Sequence, residues 1–93
     1  MRTVRYTSRF RRDHKREKAG RHGRQLDSEL LEALNMWSND RQLPRRYFDH
    51  PLSDEWSDHR DCHIRPDLIL IYRKPDETSL ELVRLGSHSE LGL

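Results

Sequence analysis

The chain contains a single cysteine, Cys62, so no internal disulfide can staple it and the fold must rest on packing alone. That usage suits a reducing cytoplasm. Apolar residues are also scarce: 32% of the sequence is hydrophobic against 37% charged. No apolar run approaches the roughly 20 residues that a membrane-spanning helix needs. The N-terminus is charged from Arg2 onward and lacks the apolar centre of a secretory signal. There are no internal repeats, and no low-complexity tract beyond a basic arm. What is left is one small domain, residues 1–93. Chains near this size bury only about 60–65% of their extended-chain surface, so the core is thin and a bound partner would add to stability.

The net charge of +2 conceals a division. Residues 1–25 carry ten Lys/Arg against two acids, for +8, while residues 26–93 carry eight against fourteen, for −6. A basic arm on an acidic body points to a polyanionic partner, because Lys/Arg contacts to phosphate release condensed counterions. The candidate contacts are Arg9, Arg11, Arg12, Lys15, Arg16, Lys18 and Arg21. Two other readings stand beside this one: a simply solvated N-terminus, and an Arg-rich organelle-targeting peptide.

"RTVRYT" (2–7) alternates and reads as a short first strand. Ser8 can cap a helix over residues 8–20, ended by Gly20, whose one large apolar residue is Phe10. Such a helix must lean on the body through one corner and show the rest to water or a partner. "GRHGRQ" reads as a flexible joint. A second helix is expected over 27–39, with Asp27 as N-cap, Leu26 and Leu31 as a hydrophobic staple, and Leu26, Leu30, Leu31, Leu34 and Trp37 along its apolar stripe. Residues 43–56, with two prolines and no period, read as an ordered loop. Tyr47 and Phe48 within it read as anchors rather than base-stacking platforms, although stacking is open to them. A sheet over 58–88 follows. "HRDCHIR" alternates, Pro66-Asp67 turns into "LILIYRK", and "PDET" turns into "SLELVRLG". The expected class is α+β, a helical half followed by an antiparallel meander.

That alternation puts His59, Asp61, His63 and Arg65 on one strand face, with Cys62 inward as a small hydrophobe. Asp67 follows across the turn, Arg84 and His88 lie on or just after the last strand, and His50 lies in the preceding loop. Histidine can act as base or acid near neutral pH, and arginine is a fixed planar cation suited to a phosphate. An aspartate can orient an imidazole and stabilise its charged form. Such a set suits cleavage of RNA by its own 2′-hydroxyl. A metal site built on His59, Asp61, His63 and His88 is the competing reading, although paired cysteines and a helical His-x-x-x-His are lacking. His14, His22 and His59, taken singly, read as surface residues.

The stretch from "YFDHPLSDEW" through "RDCHI", "PD" before "LILIY", and "R-x-G-x-H" near the end resembles the YafQ-type toxins of the RelE/ParE superfamily of bacterial toxin–antitoxin systems. The resemblance implies two N-terminal helices packed on a curved antiparallel sheet of RelE-like form. It implies a cytoplasmic endoribonuclease that cuts mRNA on the ribosome with no metal or other cofactor. It also implies a cognate DinJ/RelB-like antitoxin, with the two chains in a hetero-oligomer, and no membrane partner. By motif match, His50, Asp61, His63, Asp67, Arg84 and His88 fall on active-site positions. Three departures stand out: Asp54 where the family often has glycine, and Leu68 and a residue near Gly92 where it often has aromatics. Loss of both aromatics would weaken stacking on substrate bases. Two rivals follow from these departures and from the superfamily's breadth: a ParE-like gyrase poison, and a weakened toxin that only binds its antitoxin.

Overall fold

The computed structural model describes residues 3–20, 23–38, 45–52 and 56–93, except the side chains of Trp37, Ser38 and Arg46. The elements are β1 (Thr3–Tyr6), α1 (Ser8–Lys18), α2 (Gly23–Ser38), a short 3-10 turn (Arg45–Tyr47), β2 (His50–Pro51), β3 (Arg60–Arg65), β4 (Leu68–Arg73), β5 (Ser79–Gly86) and α3 (His88–Leu91). The sheet order is β1-β5-β4-β3-β2. β3 to β5 form the expected antiparallel meander, and β2, within the stretch that reads as a loop, extends it antiparallel to β3. β1 departs from it by pairing parallel to β5, from Thr3 opposite Ser79 to Tyr6 opposite Leu82, so the sheet is mixed.

The parallel edge has a local cause. β1 stops at Tyr6, and Thr7 turns the chain while still bonded to β5 through its N–H to the Leu82 carbonyl and its hydroxyl to the Val83 carbonyl. The same Thr7 hydroxyl accepts from the Phe10 N–H and is the N-cap of α1, a position the sequence pattern had given to Ser8. Where β1 ends, α1 takes over the exposed edge of β5 with side chains. Asp13 accepts the Leu85 N–H at 3.0 Å, and Arg16 donates to the Leu85 carbonyl at 2.9 Å. An open strand edge is thereby satisfied without another strand. Of α1, only Phe10 and Asp13 are buried, the single corner of contact the sequence predicts.

α2 begins at Gly23, one turn earlier than the Asp27 cap predicts. A Cβ at Gly23 would stand 1.9 Å from the Lys18 carbonyl oxygen, so only glycine permits this close approach of the helix start to the end of α1. Asp27 therefore lies inside the helix, where it binds His14 at 2.8 Å and Lys18, tying the two helices together. Leu26, Leu30 and Ala33 are buried and Leu34 is half-buried, whereas Leu31 is 58% exposed and staples nothing. The Trp37 side chain and Asn39 lie outside the described residues.

The two faces of the sheet differ. Facing the helices, Phe10, Leu26, Leu30, Tyr47, Cys62, Ile64, Leu68, Leu70, Tyr72, Leu80, Leu82 and Leu85 make one core. On the other face Ile69, Ile71, Val83 and Leu91 form a small cluster with Leu52 and Trp56 packed on it. Burial pushes the Cys62 thiol well up, so it stays protonated and inert, as a small hydrophobe should. Leu68 is 1% exposed on the helix side, so an aromatic absent from this position is absent from the core.

Candidate active site

Asp61 is the buried centre of the site, 3% exposed in β3. β2 pairs with β3 so that His50 stands opposite Asp61. A two-residue strand inside a proline-bearing loop escapes a period-2 reading. Its signal is His50-Pro51 itself: a residue before proline is driven extended, and proline is tolerated on an edge strand. His50 Nδ1 lies 2.7 Å from the Phe48 carbonyl and 3.0 Å from Asp61 Oδ1. Because a carbonyl only accepts, Nδ1 carries a proton and the Nε2 side is left for a ligand.

His63 lies two residues along the same strand face as Asp61. His88 is the first residue of α3, which is held by a capping box between Ser87 and Glu90. Ile69 of β4 stands between His63 and Gly86 in the register, which brings the β5–α3 junction next to His63. The ring centroids of His63 and His88 are 5.4 Å apart, edge to face. A Cβ on Gly86 would press on Glu90 at 3.2 Å and on Arg16 at 3.0 Å, so glycine leaves room for the cap to fold back.

The electrostatics follow from burial. Desolvation pushes the Asp61 carboxyl up, opposed by the nearby His50, His63 and His88, and Asp61 Oδ1 has no hydrogen bond of good geometry. Desolvation pulls His63 down, helped by His88 and His50 and opposed by Asp61, so His63 favours its neutral form. A neutral imidazole beside a buried carboxylate can accept a proton and be stabilised once charged.

Arg84 lies across β4 from Asp61 in the register, at a distance of about 10 Å for two strand spacings. Its Nε and Nη2 both donate to Asp13, at 2.6 and 3.3 Å, so its contacts run to α1 rather than to the histidines. Asp67 is exposed in the Pro66–Asp67 turn. Positive φ among the described residues occurs only at Phe48 and Gly92, so this turn is not of the primed kind that suits a two-residue hairpin. The ladder absorbs the mismatch as a register shift between His63 and Arg65. His59 sits off the cluster, edge to face with Trp56.

The basic arm divides. Arg16 is drawn into ion pairs with Asp13, Glu17 and Glu90, Lys18 binds Asp27, and Arg11 lies over the Tyr6 ring. Arg9, Arg12 and Lys15 are exposed at a helical spacing of three. Arg21 lies outside the described residues. Sequence reasoning undervalued Phe48, which is 65% exposed, has φ 48°, and places its ring centroid 5.4 Å from that of His63. It also missed Asp49, which accepts from the Tyr72 hydroxyl at 2.6 Å and from Arg60 at 3.1 Å, fixing the loop that carries His50.

Comparison with known proteins supports the fold and places the chain in a family. The chain is 37% identical to the mRNA interferase toxin YafQ of Escherichia coli strain B / BL21-DE3 over 91 residues, covering 98% of this chain and 96% of that one. It superposes on the toxin in a crystal structure of the E. coli DinJ-YafQ complex with TM-score 0.78 and 31% identity, covering 98% of each chain. It superposes on a metal-bound toxin from Helicobacter pylori with TM-score 0.80 and 36% identity, covering 98% and 99%. Among this chain's described residues, no group of three or more His, Cys, Asp or Glu is arranged to hold a metal ion. The model of the family described as "Bacterial toxin of type II toxin-antitoxin system, YafQ" matches residues 2–92, and the chain belongs to that family.

Proposed function

We propose that the protein is a ribosome-dependent mRNA endonuclease, the toxin of a toxin–antitoxin pair acting in the bacterial cytoplasm. The observation that carries the reading is buried Asp61 beneath His50, His63 and His88. His63, held neutral by desolvation, takes the proton from a ribose 2′-hydroxyl. The 2′ oxygen then attacks the adjacent phosphorus and the bond to the 5′ oxygen breaks. His88, exposed at the start of α3, gives a proton to that leaving oxygen. The products are a 2′,3′-cyclic phosphate and a 5′-hydroxyl. Asp61 stabilises the imidazolium formed on His63, and His50 presents its Nε2 side to the scissile nucleotides. Arg84, oriented by Asp13, steadies the phosphate with the remaining edge of its guanidinium. Asp67, in the adjacent turn, is the alternative base, and His63 is preferred because burial keeps it neutral.

Both proton transfers fall to side chains of this chain, His63 and His88, and need no metal. Arg9, Arg12 and Lys15 contact ribosomal RNA, with Arg11, Arg16, Lys18 and Arg21 adding positive field. The partner is an antitoxin of the kind seen with YafQ in the E. coli complex, which would form a hetero-oligomer with this chain. The test is cleavage of a ribosome-bound reporter mRNA by purified protein, with and without chelator, against His88→Ala. Chelator-resistant cuts that His88→Ala abolishes are expected. Cuts that vanish with chelator would overturn the metal-free mechanism. No cleavage together with inhibition of gyrase supercoiling would move the target to DNA.

A further inference from the structure

Residues 47–50 alternate between anchoring and exposure. Tyr47 is 4% exposed in the helix-side core, and Asp49 is tied down by the Tyr72 hydroxyl and Arg60. Between these two anchors Phe48 is forced outward with φ 48°, a backbone region that a bulky side chain rarely adopts and that persists only where neighbours over-determine it. The strain displays a large apolar ring at 65% exposure, and the ring is not left to drift. Its centroid is 5.4 Å from His63, while its own carbonyl accepts the His50 Nδ1–H at 2.7 Å. Phe48, Asp49, His50 and His63 line a hollow of about 360 Å³, large enough for a nucleobase.

We infer that the Phe48 ring is the platform on which the base next to the scissile phosphate stacks, its backbone carbonyl meanwhile fixing His50. The inference rests on the nuclease reading and deepens it. A base has a π-face whatever its identity, and a ring at van der Waals range from His63 would hold the attached ribose within reach of the imidazoles. An exposed aromatic can equally be covered by a protein partner. RNA is favoured because the ring and the carbonyl of this one residue each meet a different histidine of the cluster.

The experiment uses the intact protein and a short single-stranded RNA carrying 2-aminopurine, whose fluorescence a stacked aromatic quenches. Wild type, Phe48→Tyr, Phe48→Trp and Phe48→Leu are titrated at low salt, with thermal midpoints recorded to confirm folding. Quenching by wild type, Tyr and Trp but not by Leu is expected. Affinity for the RNA, and cleavage of ribosome-bound mRNA, should fall by roughly five- to 150-fold in the Leu variant alone. Equal quenching by Leu and wild type, or none by either, would overturn the inference. So would a Leu variant that loses only affinity for a protein partner. Because quenching is read without turnover, stacking without cleavage would count against the nuclease chemistry and leave the platform standing.

Discussion

Two aspartates, Asp13 and Asp61, are buried alike at 3% exposure, yet their surroundings push them in opposite directions. Asp13 is surrounded by donors: Arg84 twice, Arg16 at 3.1 Å, and the Leu85 N–H. Desolvation acts to raise its carboxyl, but these bonds and charges together overcome that and hold it below the ordinary value. Asp61 has His50, His63 and His88 near it but, among the described residues, no arginine or lysine paired with it, and one of its oxygens lacks a good hydrogen bond. Desolvation holds it above the ordinary value, with the like charge of Asp49 adding to it. A carboxylate bonded from every side stabilises a fold. One left under-satisfied among imidazoles keeps its field for chemistry, at a cost in stability.

The largest effect that would sharpen this contrast is in activity. Asp61→Asn should lower mRNA cleavage by about 10²- to 10⁴-fold in kcat/KM, the range associated with positioned acid–base groups. At neutral pH it should leave the thermal midpoint equal to or above wild type. Asp13→Asn should do the reverse, costing about 3 kcal/mol by leaving Arg84 and Arg16 under-compensated. That would lower the midpoint by about 10–20 °C in a calorimetric scan. A variant pair showing equal losses of stability would break the comparison.

The pH dependence carries the same opposition. Asp13 is lowered on folding, so its contribution is present above the unfolded carboxyl value of about 3.9 and is lost as pH falls through its folded value. Asp61 is raised, so its contribution is present below about 3.9 and is lost as pH rises through its folded value. Denaturant melts between pH 3 and 7 should show Asp13→Asn flattening the acid-side fall in stability and Asp61→Asn steepening it. A pH–rate profile gives a smaller effect. With His63 lowered on folding, the rising limb of kcat/KM should lie below the ordinary histidine value of about 6.5. Asp61→Asn, by removing an opposing negative charge, should move the limb to still lower pH.

The smallest effect is expected at the arm. Replacing Arg9, Arg12 and Lys15 by Gln should reduce the salt slope of ribosome binding by roughly one for each phosphate the arm ceases to neutralise, with little change in stability. Charge removal at Arg16 should instead destabilise, because that residue closes the β5 edge.

The sequence alone exposed what is local. The strand runs of β3, β4 and β5, the turns between them, and Phe10 as the one apolar corner of α1 all follow from period and composition. The ionisable residues at His50, Asp61, His63 and His88 were visible as types, and the fold brings them together. Contacts across long separations were hidden. Asp13 and Arg84 lie 71 residues apart, so nothing in either neighbourhood reveals that the arginine is oriented by the first helix. Asp27 carries a strong local signal for an N-cap, and the glycine-permitted approach of Gly23 to Lys18 overrides it. Phe48 reads as an anchor because burial is the usual fate of an aromatic in a loop. Its outward turn is set by Tyr47 and Asp49, whose partners lie elsewhere in the chain.

The most direct test of the central claim is global mapping of new RNA 5′ ends after a short induction, comparing wild type with Asp61→Asn at matched levels of folded protein. Fresh 5′-hydroxyl ends inside translated frames in wild type, absent in Asp61→Asn, are the predicted result. Equal ends in both strains would contradict the role given to Asp61, and arrested growth with no new ends would contradict RNA cleavage itself.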